Sequence, residues 1–484
     1  MHNSARIVLV VAVTAISACG PRSDEPASNE VNMSNPITNP FASLPADPPV
    51  APKRPVEIEQ HGVTRIDNYG WMRDENWQEV LRDPGELDGD IREHLEAENA
   101  YYEAATGDLE KLREQLFEEM RGRIKEDDST VPAPDGDFAY AVRFRDGGEY
   151  PIFVRTPRHG GDETILYDGD LEGAGEDFFR IAAVDHSPNH ELIAYGVDRL
   201  GSEYYDIRIR TIETGEEFEE TIPSTGGSVV WAADSKSFYY VERDDNQRPK
   251  RVKHHVVGAD SADDRLVYEE PDDSYFLGID KSQSGQYIFI GVRKGTSSEY
   301  RYLAADAEPG TQPVLIAPRL EDELYSVEHA GDYFYIQTNA GDAVDFKIVR
   351  TPVSEPGRDN WEEWLPHEAG TYISGFVPFE DRLVRLEREN ALPRLVVSDY
   401  EQEDVYEIDF DEAAYNLGLS PGYEFETSNL RFSYESPSTP EQTFDFDMES
   451  RERVLRKTQE VPSGHDAELY VVERIFITAD DGAE

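Results

Sequence analysis

The segment Val184-Asp-His-Ser-Pro-Asn-His-Glu-Leu-Ile-Ala-Tyr195 decides the fold, because its pattern recurs along the chain. Clear copies are Trp231-Ala-Ala-Asp-Ser-Lys-Ser-Phe-Tyr-Tyr240 and Ile279-Asp-Lys-Ser-Gln-Ser-Gly-Gln-Tyr-Ile-Phe-Ile290. Each joins the end of a strand, a serine-containing turn and an apolar strand, and a second hairpin follows. Weaker copies begin near Asp137, Val327, Gly375 and Asn429. About seven units of roughly 40–50 residues predict a mainly β chain with a seven-bladed β-propeller at residues 131–460, whereas a long β-sandwich would not repeat.

Residues 51–130, before the repeats, have the apolar period of amphipathic helices. Asp88 is expected to cap one helix and Asp108 the next. The apolar positions of the two helices recur at three- and four-residue steps: Ile91, Leu95 and Tyr102 in the first, and Leu109, Leu112, Leu116, Met120 and Ile124 in the second. Because each helix has one apolar face, each needs a partner surface.

The N-terminus is typical of a bacterial lipoprotein. Residues 1–18 start with a positive charge and continue as an apolar run too short to span a bilayer, so we expect a signal peptide. Ile16-Ser-Ala-Cys19 resembles a lipobox, and Cys19 is the single cysteine of the chain and the predicted lipidation site. No Asp follows Cys19, which favours the outer membrane, facing the periplasm. The alternative is an ordinary secretory signal with a chance cysteine.

Residues 19–50 contain almost no large apolar side chain and are predicted to form a flexible tether. The chain as a whole carries 101 acidic and 46 basic residues, a formal charge of −55. Such a balance argues against a nucleic-acid partner, which needs basic patches. It fits either steering of cationic peptides or an acidic surface adapted to a salty habitat, and the sequence does not separate these.

One segment, Gly418-Leu-Ser-Pro-Gly422, formally matches the G-x-S-x-G motif of serine hydrolases. In a nucleophile elbow the residue after the serine donates its backbone N–H to the oxyanion, and Pro421 has none. A strand rather than a helix is predicted to follow. Ser420 is therefore interpreted as part of a turn, and we expect no catalytic residue within this chain.

Metal and cofactor sites are likewise not expected. His186 and His190 are four residues apart, but Pro188 between them indicates a turn, so they do not share a helix face. His254 and His255 are expected on opposite faces of a strand. Acidic pairs such as Asp263-Asp264 are interpreted as solvated loop charge, and no nucleotide-binding motif occurs.

Several segments resemble the prolyl oligopeptidase family of serine peptidases, in its oligopeptidase B branch. They are Asn68-Tyr-Gly-Trp-Met-Arg-Asp-Glu-Asn76, Val80-Leu-Arg-Asp-Pro84, Leu95-Glu-Ala-Glu-Asn-Ala-Tyr101, Leu430-Arg-Phe-Ser-Tyr-Glu-Ser436, Arg456-Lys-Thr-Gln-Glu-Val-Pro-Ser-Gly-His-Asp466 and Glu473-Arg-Ile-Phe-Ile-Thr-Ala-Asp-Asp-Gly-Ala483. The resemblance implies N-terminal helices that wrap an α/β-hydrolase domain, and a propeller that caps its active site and admits short peptides, cleaved after Arg or Lys.

The same resemblance implies that residues 461–484 begin a truncated α/β-hydrolase domain, with its first strand at Val472–Ile477. The Ser-Asp-His triad is then expected beyond Glu484, and the hydrolase domain would be supplied in cis or by an adjacent product. We therefore expect the isolated chain to be inactive and to expose apolar surface. The alternatives are a stand-alone propeller lipoprotein that acts as an envelope binding or scaffold module, and a fragment without function.

Overall fold

The computed structural model describes residues 47–482 of the 484-residue chain. The predicted signal peptide, Cys19 and most of the predicted tether lie outside these residues. The described part begins with an antiparallel hairpin of β1 (Val56–Gln60) and β2 (Val63–Asp67). Within residues 47–482, no helix is both long enough and apolar enough to cross a membrane.

Three helices follow the hairpin: α1 (Trp77–Arg82), α2 (Gly89–Thr106) and α3 (Glu110–Arg121). Asp88 caps α2 as predicted, because its carboxylate accepts hydrogen bonds from the N–H groups of Asp90 and Ile91. The predicted cap at Asp108 is wrong. Gly107 keeps helical backbone angles (φ −57°, ψ −34°), so Asp108 lies inside a 3₁₀ turn and α3 starts without a side-chain cap.

The apolar side of α3 faces solvent, as the sequence predicted. Its residues Leu112, Leu116 and Met120 are 50%, 46% and 57% exposed, and no residue of α3 is buried. The ring of sheets is contacted by α1 instead, where Arg82 Nη2 lies 3.0 Å from Asp245 Oδ1. The exposed face of α3 therefore remains available for a partner.

Twenty-seven further strands form six antiparallel sheets of a propeller, β3–β29. Five sheets have four strands each: sheet 1 with β3 (Ala133–Asp135), β4 (Phe138–Arg143), β5 (Ile152–Pro157) and β6 (Thr164–Asp168); sheet 3 with β14 (Phe276–Lys281), β15 (Tyr287–Lys294), β16 (Ser297–Ala304) and β17 (Val314–Ala317); sheet 4 with β18 (Tyr325–Ala330), β19 (Tyr333–Thr338), β20 (Lys347–Pro352) and β21 (Glu362–Leu365); sheet 5 with β22 (Thr371–Pro378), β23 (Leu383–Glu389), β24 (Leu392–Ser398) and β25 (Val405–Glu407); sheet 6 with β26 (Asn416–Leu419), β27 (Asn429–Glu435), β28 (Gln442–Asp447) and β29 (Arg453–Thr458).

Sheet 2 has seven strands: β7 (Arg180–His186), β8 (Leu192–Asp198), β9 (Tyr205–Thr211), β10 (Ile222–Trp231), β11 (Ser237–Arg243), β12 (Pro249–Val256) and β13 (Arg265–Glu269). A short helix, α4 (Gly169–Glu172), lies between β6 and β7. The prediction of seven blades is therefore wrong, since five separate four-stranded blades accompany this one larger sheet. The physical reason lies in β10, which pairs with both β9 and β11 and shifts its register between Thr225 and Val229.

Apolar side chains are buried between neighbouring sheets. Phe289 of sheet 3 and Phe334 of sheet 4 belong to one such cluster, and Leu395 of sheet 5 and Phe432 of sheet 6 belong to another. Because a sheet inside the ring is covered on both faces, its strands are apolar on both sides, as in β8, where six of seven residues are buried. Each fully buried Phe or Ile stabilises the ring by about 1.5–3 kcal/mol.

The turn that joins the first two strands of a sheet recurs as the sequence indicated. In sheet 2, the Ser187 hydroxyl accepts a hydrogen bond from the N–H of Leu192 at 3.0 Å. In sheet 3, the Ser282 hydroxyl accepts one from the N–H of Tyr287, also at 3.0 Å. The repeated serine therefore stabilises equivalent turns, which accounts for the repeat that the sequence displays.

Sheets 6 and 1 meet through polar contacts. Arg431 of β27 donates hydrogen bonds to the carbonyl oxygens of Val131 and Pro132, at 3.1 and 2.8 Å. Lys457 Nζ lies 2.6 Å from Asp128 Oδ2. The strands of each described sheet are consecutive in sequence, so no described strand is shared between sheets 6 and 1. A cavity of about 610 Å³ lies beside this seam.

After sheet 6, residues 461–482 contain a 3₁₀ turn, Ala467–Leu469, and no strand. The segment Val472–Ile477 forms no sheet within the described residues, and its role as the first strand of a hydrolase domain stays a prediction. The segment has no partner strand there, and Ile475 and Ile477 are 75% and 76% exposed. No hydrolase domain lies within residues 47–482.

Candidate functional site in the central channel

The first strands of the sheets face a shared interior space, called here the central channel. A cavity of about 710 Å³ is lined by residues of β14, β18 and β22, which are the first strands of sheets 3, 4 and 5. The cavity beside the seam is lined by residues of β7 and by Ala133 of β3. The channel wall therefore draws on strands distant in sequence.

Three carboxylates occupy equivalent positions on this wall. Asp185 and Asp280 are the penultimate residues of the first strands of sheets 2 and 3, and Glu328 lies two residues before the last residue of the first strand of sheet 4. Their contacts are backbone N–H groups: Val229 donates to Asp185 at 3.1 Å, and Gln283 donates to Glu328 at 3.1 Å. Within residues 47–482, none of the three forms an ion pair, so their charge is not balanced locally.

Enclosure by the sheets changes how these groups titrate. Burial raises the pKa of Asp185 to about 6 and that of Glu328 to about 7, because a charged carboxylate loses hydration there. Burial also raises the pKa of Asp280, although this residue remains exposed within the channel. The neighbouring Lys281 has a lowered pKa for the same reason, partly offset by the charge of Asp135. The channel wall thus carries acidic groups that no neighbouring basic side chain pairs with in the described residues.

These three carboxylates were not among the predicted site residues, although the sequence carries a signal for them. Each acid follows a β-branched residue and precedes a basic or imidazole side chain: Val184-Asp-His186, Ile279-Asp-Lys281 and Val327-Glu-His329. Such a triplet at one position of a structural repeat places three acids on one ring of the channel. When the repeats are aligned by their turns, the three acids fall at the same position.

One mouth of the channel, where the first strands end, is crossed by residues 420–428, called here the plug segment. Gln283 Nε2 of sheet 3 donates to the carbonyl oxygen of Gly422 at 3.3 Å. Arg158 of sheet 1 forms an ion pair with Glu424, and the N–H of Glu380 in sheet 5 donates to Phe425 at 3.1 Å. Because these partners belong to sheets 1, 3 and 5, the segment spans this mouth of the channel.

The plug segment contains Ser420 and Pro421 of the formal G-x-S-x-G match. Ser420 follows β26, its N–H donates to the carbonyl of Arg431 at 3.0 Å, and the next regular element is the strand β27. Tyr423 lies over the mouth, with its ring 5.0 Å from that of His186 and 5.9 Å from that of Tyr140. The geometry is that of a loop rather than a nucleophile elbow.

Beneath Tyr423 the structure brings together Asp135, His186 and His190, with one possible ligand atom from each within 4.8 Å of the others. His186 Nε2 lies 2.7 Å from Asp135 Oδ2, and burial lowers the pKa of His190. Proximity of the two histidines was not expected from their spacing. It arises because the turn after β7 folds back, with His190 at φ +59°.

One of the predicted loop acids, Asp264, contacts a histidine of sheet 2. His254 and His255 are both buried in sheet 2. His255 Nδ1 lies 2.7 Å from Asp264 Oδ1, and the Asp264 side chain is 2% exposed. Asp264 is therefore not the solvated loop charge that the sequence suggested, because it satisfies a buried imidazole. Cys19 lies outside the described residues.

Comparison with protein-family models gives a match over residues 48–459 to the N-terminal β-propeller domain of prolyl oligopeptidase. Dipeptidyl aminopeptidase BI of Pseudoxanthomonas mexicana is 37% identical over 469 residues, which cover 93% of this chain and 63% of that protein. Protease 2 of Moraxella lacunata is 30% identical over 448 residues, which cover 90% of this chain and 62% of that protein. The chain thus spans less than two thirds of the length of these relatives.

Among solved structures, oligopeptidase B from Leishmania major superimposes with a TM-score of 0.83 at 26% identity, covering 90% of this chain and 64% of that one. Oligopeptidase B from Trypanosoma brucei, solved with covalently bound antipain, gives a TM-score of 0.82 at 27% identity, with the same two coverages. The shared part is the propeller with its preceding helices.

Proposed function

Since this chain belongs to the prolyl oligopeptidase family as an oligopeptidase B-like propeller, we propose that it is the gating part of a lipid-anchored serine oligopeptidase. The proposed enzyme cleaves short peptides after Arg or Lys. Its Ser-Asp-His triad belongs to a hydrolase domain outside the described residues. Without that domain the propeller supplies access and selection, but no nucleophile.

The observation that carries the proposal is the acidic channel wall. Asp185, Asp280 and Glu328 form no ion pair among the described residues, and burial raises the pKa of each, so a cationic side chain entering the channel favours their ionised forms and is attracted to them. A substrate with Arg or Lys is therefore favoured over an acidic one. The overall charge of −55 adds long-range attraction of the same sign.

Access is the second part of the proposal. The plug segment, residues 420–428, crosses one mouth of the channel. The catalytic centre of the hydrolase domain would therefore lie at the opposite mouth, and peptides would reach it there. The exposed face of α3, with Leu112, Leu116 and Met120, fits the role of a docking surface for the hydrolase domain. A stand-alone binding module, the alternative, would have no use for this face.

The lipid anchor is proposed from the sequence alone. Acylation at Cys19 followed by a tether of about thirty residues would hold the propeller at the periplasmic face of the outer membrane, within reach of imported peptides. Two or three acyl chains give stable attachment.

Release of dipeptides is a second candidate activity, because dipeptidyl aminopeptidase BI is the 37% identical relative. The two activities differ in whether a free N-terminus is required. The test is to isolate the native protein from its host with an antibody to the propeller and to assay fluorogenic peptides. Cleavage of N-blocked Arg–Arg substrates supports the oligopeptidase, cleavage of free dipeptide substrates only supports the second candidate, and no hydrolysis of either contradicts both.

A further inference from the structure

A mixed cluster of nitrogen and oxygen donors lies between sheets 1 and 2, at the mouth that the plug segment crosses. Asp135 ends β3 in sheet 1, His186 ends β7 in sheet 2, and His190 follows in the next turn. One donor atom from each lies within 4.8 Å of the other two. Two imidazoles and one carboxylate thus converge from two separate sheets.

The imidazole of His190 is held in a defined orientation. Its Nδ1 lies 2.7 Å from the hydroxyl of Tyr140, which leaves Nε2 on the other side of the ring. Gly136, adjacent to Asp135, has φ +56°, and a Cβ built there would lie 3.0 Å from Nε2. His190 Nε2 therefore faces the turn that carries Asp135, and it has no hydrogen-bond partner within residues 47–482.

The imidazole of His186 is also fixed. Its ring stacks on Tyr140 at a centroid distance of 3.7 Å and an interplanar angle of 7°. Its Nε2 lies 2.7 Å from Asp135 Oδ2, a hydrogen-bond distance. One tyrosine thus orients both histidines, by stacking on one and bonding to the other. Such support of metal-binding histidines by neighbouring groups is common in metal sites.

We propose that Asp135, His186 and His190 bind a divalent transition-metal ion of the zinc type, which joins sheet 1 to sheet 2. Imidazole nitrogen and carboxylate oxygen are ligands that Zn²⁺ accepts at about 2.0–2.2 Å. Tetrahedral binding would widen the His186–Asp135 separation to about 3.4 Å, a small side-chain movement. Three protein ligands leave at least one position for water beneath Tyr423.

The surroundings argue for this class of ion over Ca²⁺ or Mg²⁺. Those hard cations prefer sites made of oxygen, whereas two of these three ligands are nitrogen. Arg155, which donates to the carbonyl oxygen of His190 at 2.5 Å, and Lys281, which interacts with Asp135, add positive charge nearby. These positive charges repel a cation that is held by electrostatic attraction alone. Binding of a metal ion would therefore depend on its bonds to the two imidazole nitrogens.

The first test uses the full chain without a histidine tag, after treatment with a chelator. Titration with ZnCl₂ in a calorimeter should show one ion per chain, and CoCl₂ should produce d–d absorption in the visible range. A 100-fold excess of CaCl₂ or MgCl₂ should leave both signals unchanged. Absence of stoichiometric Zn²⁺ binding would overturn the proposal.

Variants separate the site from adventitious histidine binding. His186→Gln and His190→Gln should weaken Zn²⁺ binding more than about 100-fold, while Tyr140→Phe, which removes an orienting contact, should weaken it about 10- to 100-fold. The matched control is His367→Gln, because His367 lies 3.6 Å from Asp345 and belongs to no such three-residue cluster in the described chain. Circular dichroism checks that each variant is folded.

The thermal midpoint gives an independent measure. Because an ion that bridges two sheets binds the folded ring only, ZnCl₂ should raise the midpoint of the parent chain and of His367→Gln, but not of His186→Gln. An equal rise in all three, or a loss of binding in His367→Gln alone, would contradict the assignment. The outcome is independent of the peptidase proposal, since neither test measures hydrolysis.

Discussion

Arg431 donates a hydrogen bond to the carbonyl oxygen of Pro132 at 2.8 Å, across 299 positions of sequence. The contact joins the last sheet to the first. Arg431 is also fixed by Asp445, whose Oδ1 lies 2.7 Å from its Nε. The Arg431 guanidinium and the Lys457–Asp128 ion pair therefore close the ring at a seam where no described strand is shared, which makes the seam sensitive to loss of the Arg431 side chain.

Arg431→Met should consequently destabilise the ring. The substitution leaves the nearly buried Asp445 with Arg456 as its remaining ion-pair partner and removes both bonds to sheet 1. Because Asp445 keeps Arg456, the expected cost is that of the lost charge-assisted hydrogen bonds, about 1.5–3 kcal/mol. Urea unfolding followed by tryptophan fluorescence measures the change. The control Arg388→Met, at an exposed arginine of β23, should stay within about 0.5 kcal/mol of the parent, and equal losses in both variants would contradict this account of the seam.

Glu328→Gln should stabilise the chain at alkaline pH. Burial raises the pKa of Glu328 from 4.5 to about 7, so the folded state binds this proton more tightly than the unfolded state does. Below pH 4.5 the Glu328 carboxyl is largely neutral in both the folded and the unfolded state, so folding carries no cost of burying a charge. As the pH rises toward 7, the unfolded state loses this proton first, and the parent chain loses stability. Because Glu328 is only partly buried, the gain in the free energy of unfolding at pH 8 is reduced to about 1–2 kcal/mol.

The pH dependence provides the check on that prediction. The difference between Glu328→Gln and the parent should vanish near pH 4.5, where both carry a neutral group. The exposed Glu321 gives the matched control, and Glu321→Gln should have no such pH-dependent gain. A gain that is constant from pH 4.5 to 8 would mean that the charge of Glu328 is not its cause.

Asp280→Asn should weaken binding of cationic peptides to the channel. Asp280 is exposed within the channel and forms no ion pair among the described residues, so its carboxylate is available to a ligand. Loss of one such attraction, worth about 1 kcal/mol, lowers affinity roughly fivefold. Fluorescence anisotropy with a labelled Arg–Arg tripeptide measures it, and Asp322→Asn, at an exposed loop residue, is the control. Identical affinities in the parent and Asp280→Asn would remove the channel wall from the selection of substrates.

The paired change Leu116→Glu and Met120→Glu should reduce self-association and dye binding of the isolated chain. Both side chains are about half exposed on α3, so the stability should change by less than about 0.5 kcal/mol. Binding of anilinonaphthalene sulfonate and light scattering report the exposed apolar surface. Gln115→Glu on the same helix adds charge without removing apolar surface and is the control. Unchanged dye binding would show that the α3 face is not the exposed patch.

Cys19→Ser should abolish partition of the native protein into detergent. Cys19 is the single cysteine of the chain and the proposed acylation site, and stable membrane attachment requires at least two acyl chains. Phase separation in Triton X-114 of the protein expressed in its bacterial host distinguishes the two forms. If the parent protein itself enters the aqueous phase, the lipobox interpretation is wrong.

The repeating strands were readable from sequence because the turn carries a local signal. Ser187 and Ser282 occupy the same position of two turns, and their hydroxyl bonds are made within six residues. The helix start at Asp88 was readable for the same reason. Such features depend on short-range chemistry, which a single sequence displays.

Long-range pairing was not readable. The sequence of Ile222–Trp231 contains no local signal that this strand pairs with both β9 and β11. This pairing joins two predicted blades into one seven-stranded sheet. Asp135 and His186 are 51 positions apart in sequence, and they meet only because sheets 1 and 2 lie side by side. The plug segment is a further case, since Gly422 meets Gln283 only after the ring has closed.

The central claim is that this propeller serves a serine hydrolase. The most direct measurement is labelling of the native protein, isolated from its host through the propeller, with a fluorophosphonate that reacts with activated serines. The account predicts a labelled polypeptide that contains or accompanies the propeller, while the purified 484-residue chain stays unlabelled. Labelling of the purified chain, or no labelled species in the native isolate, would contradict it.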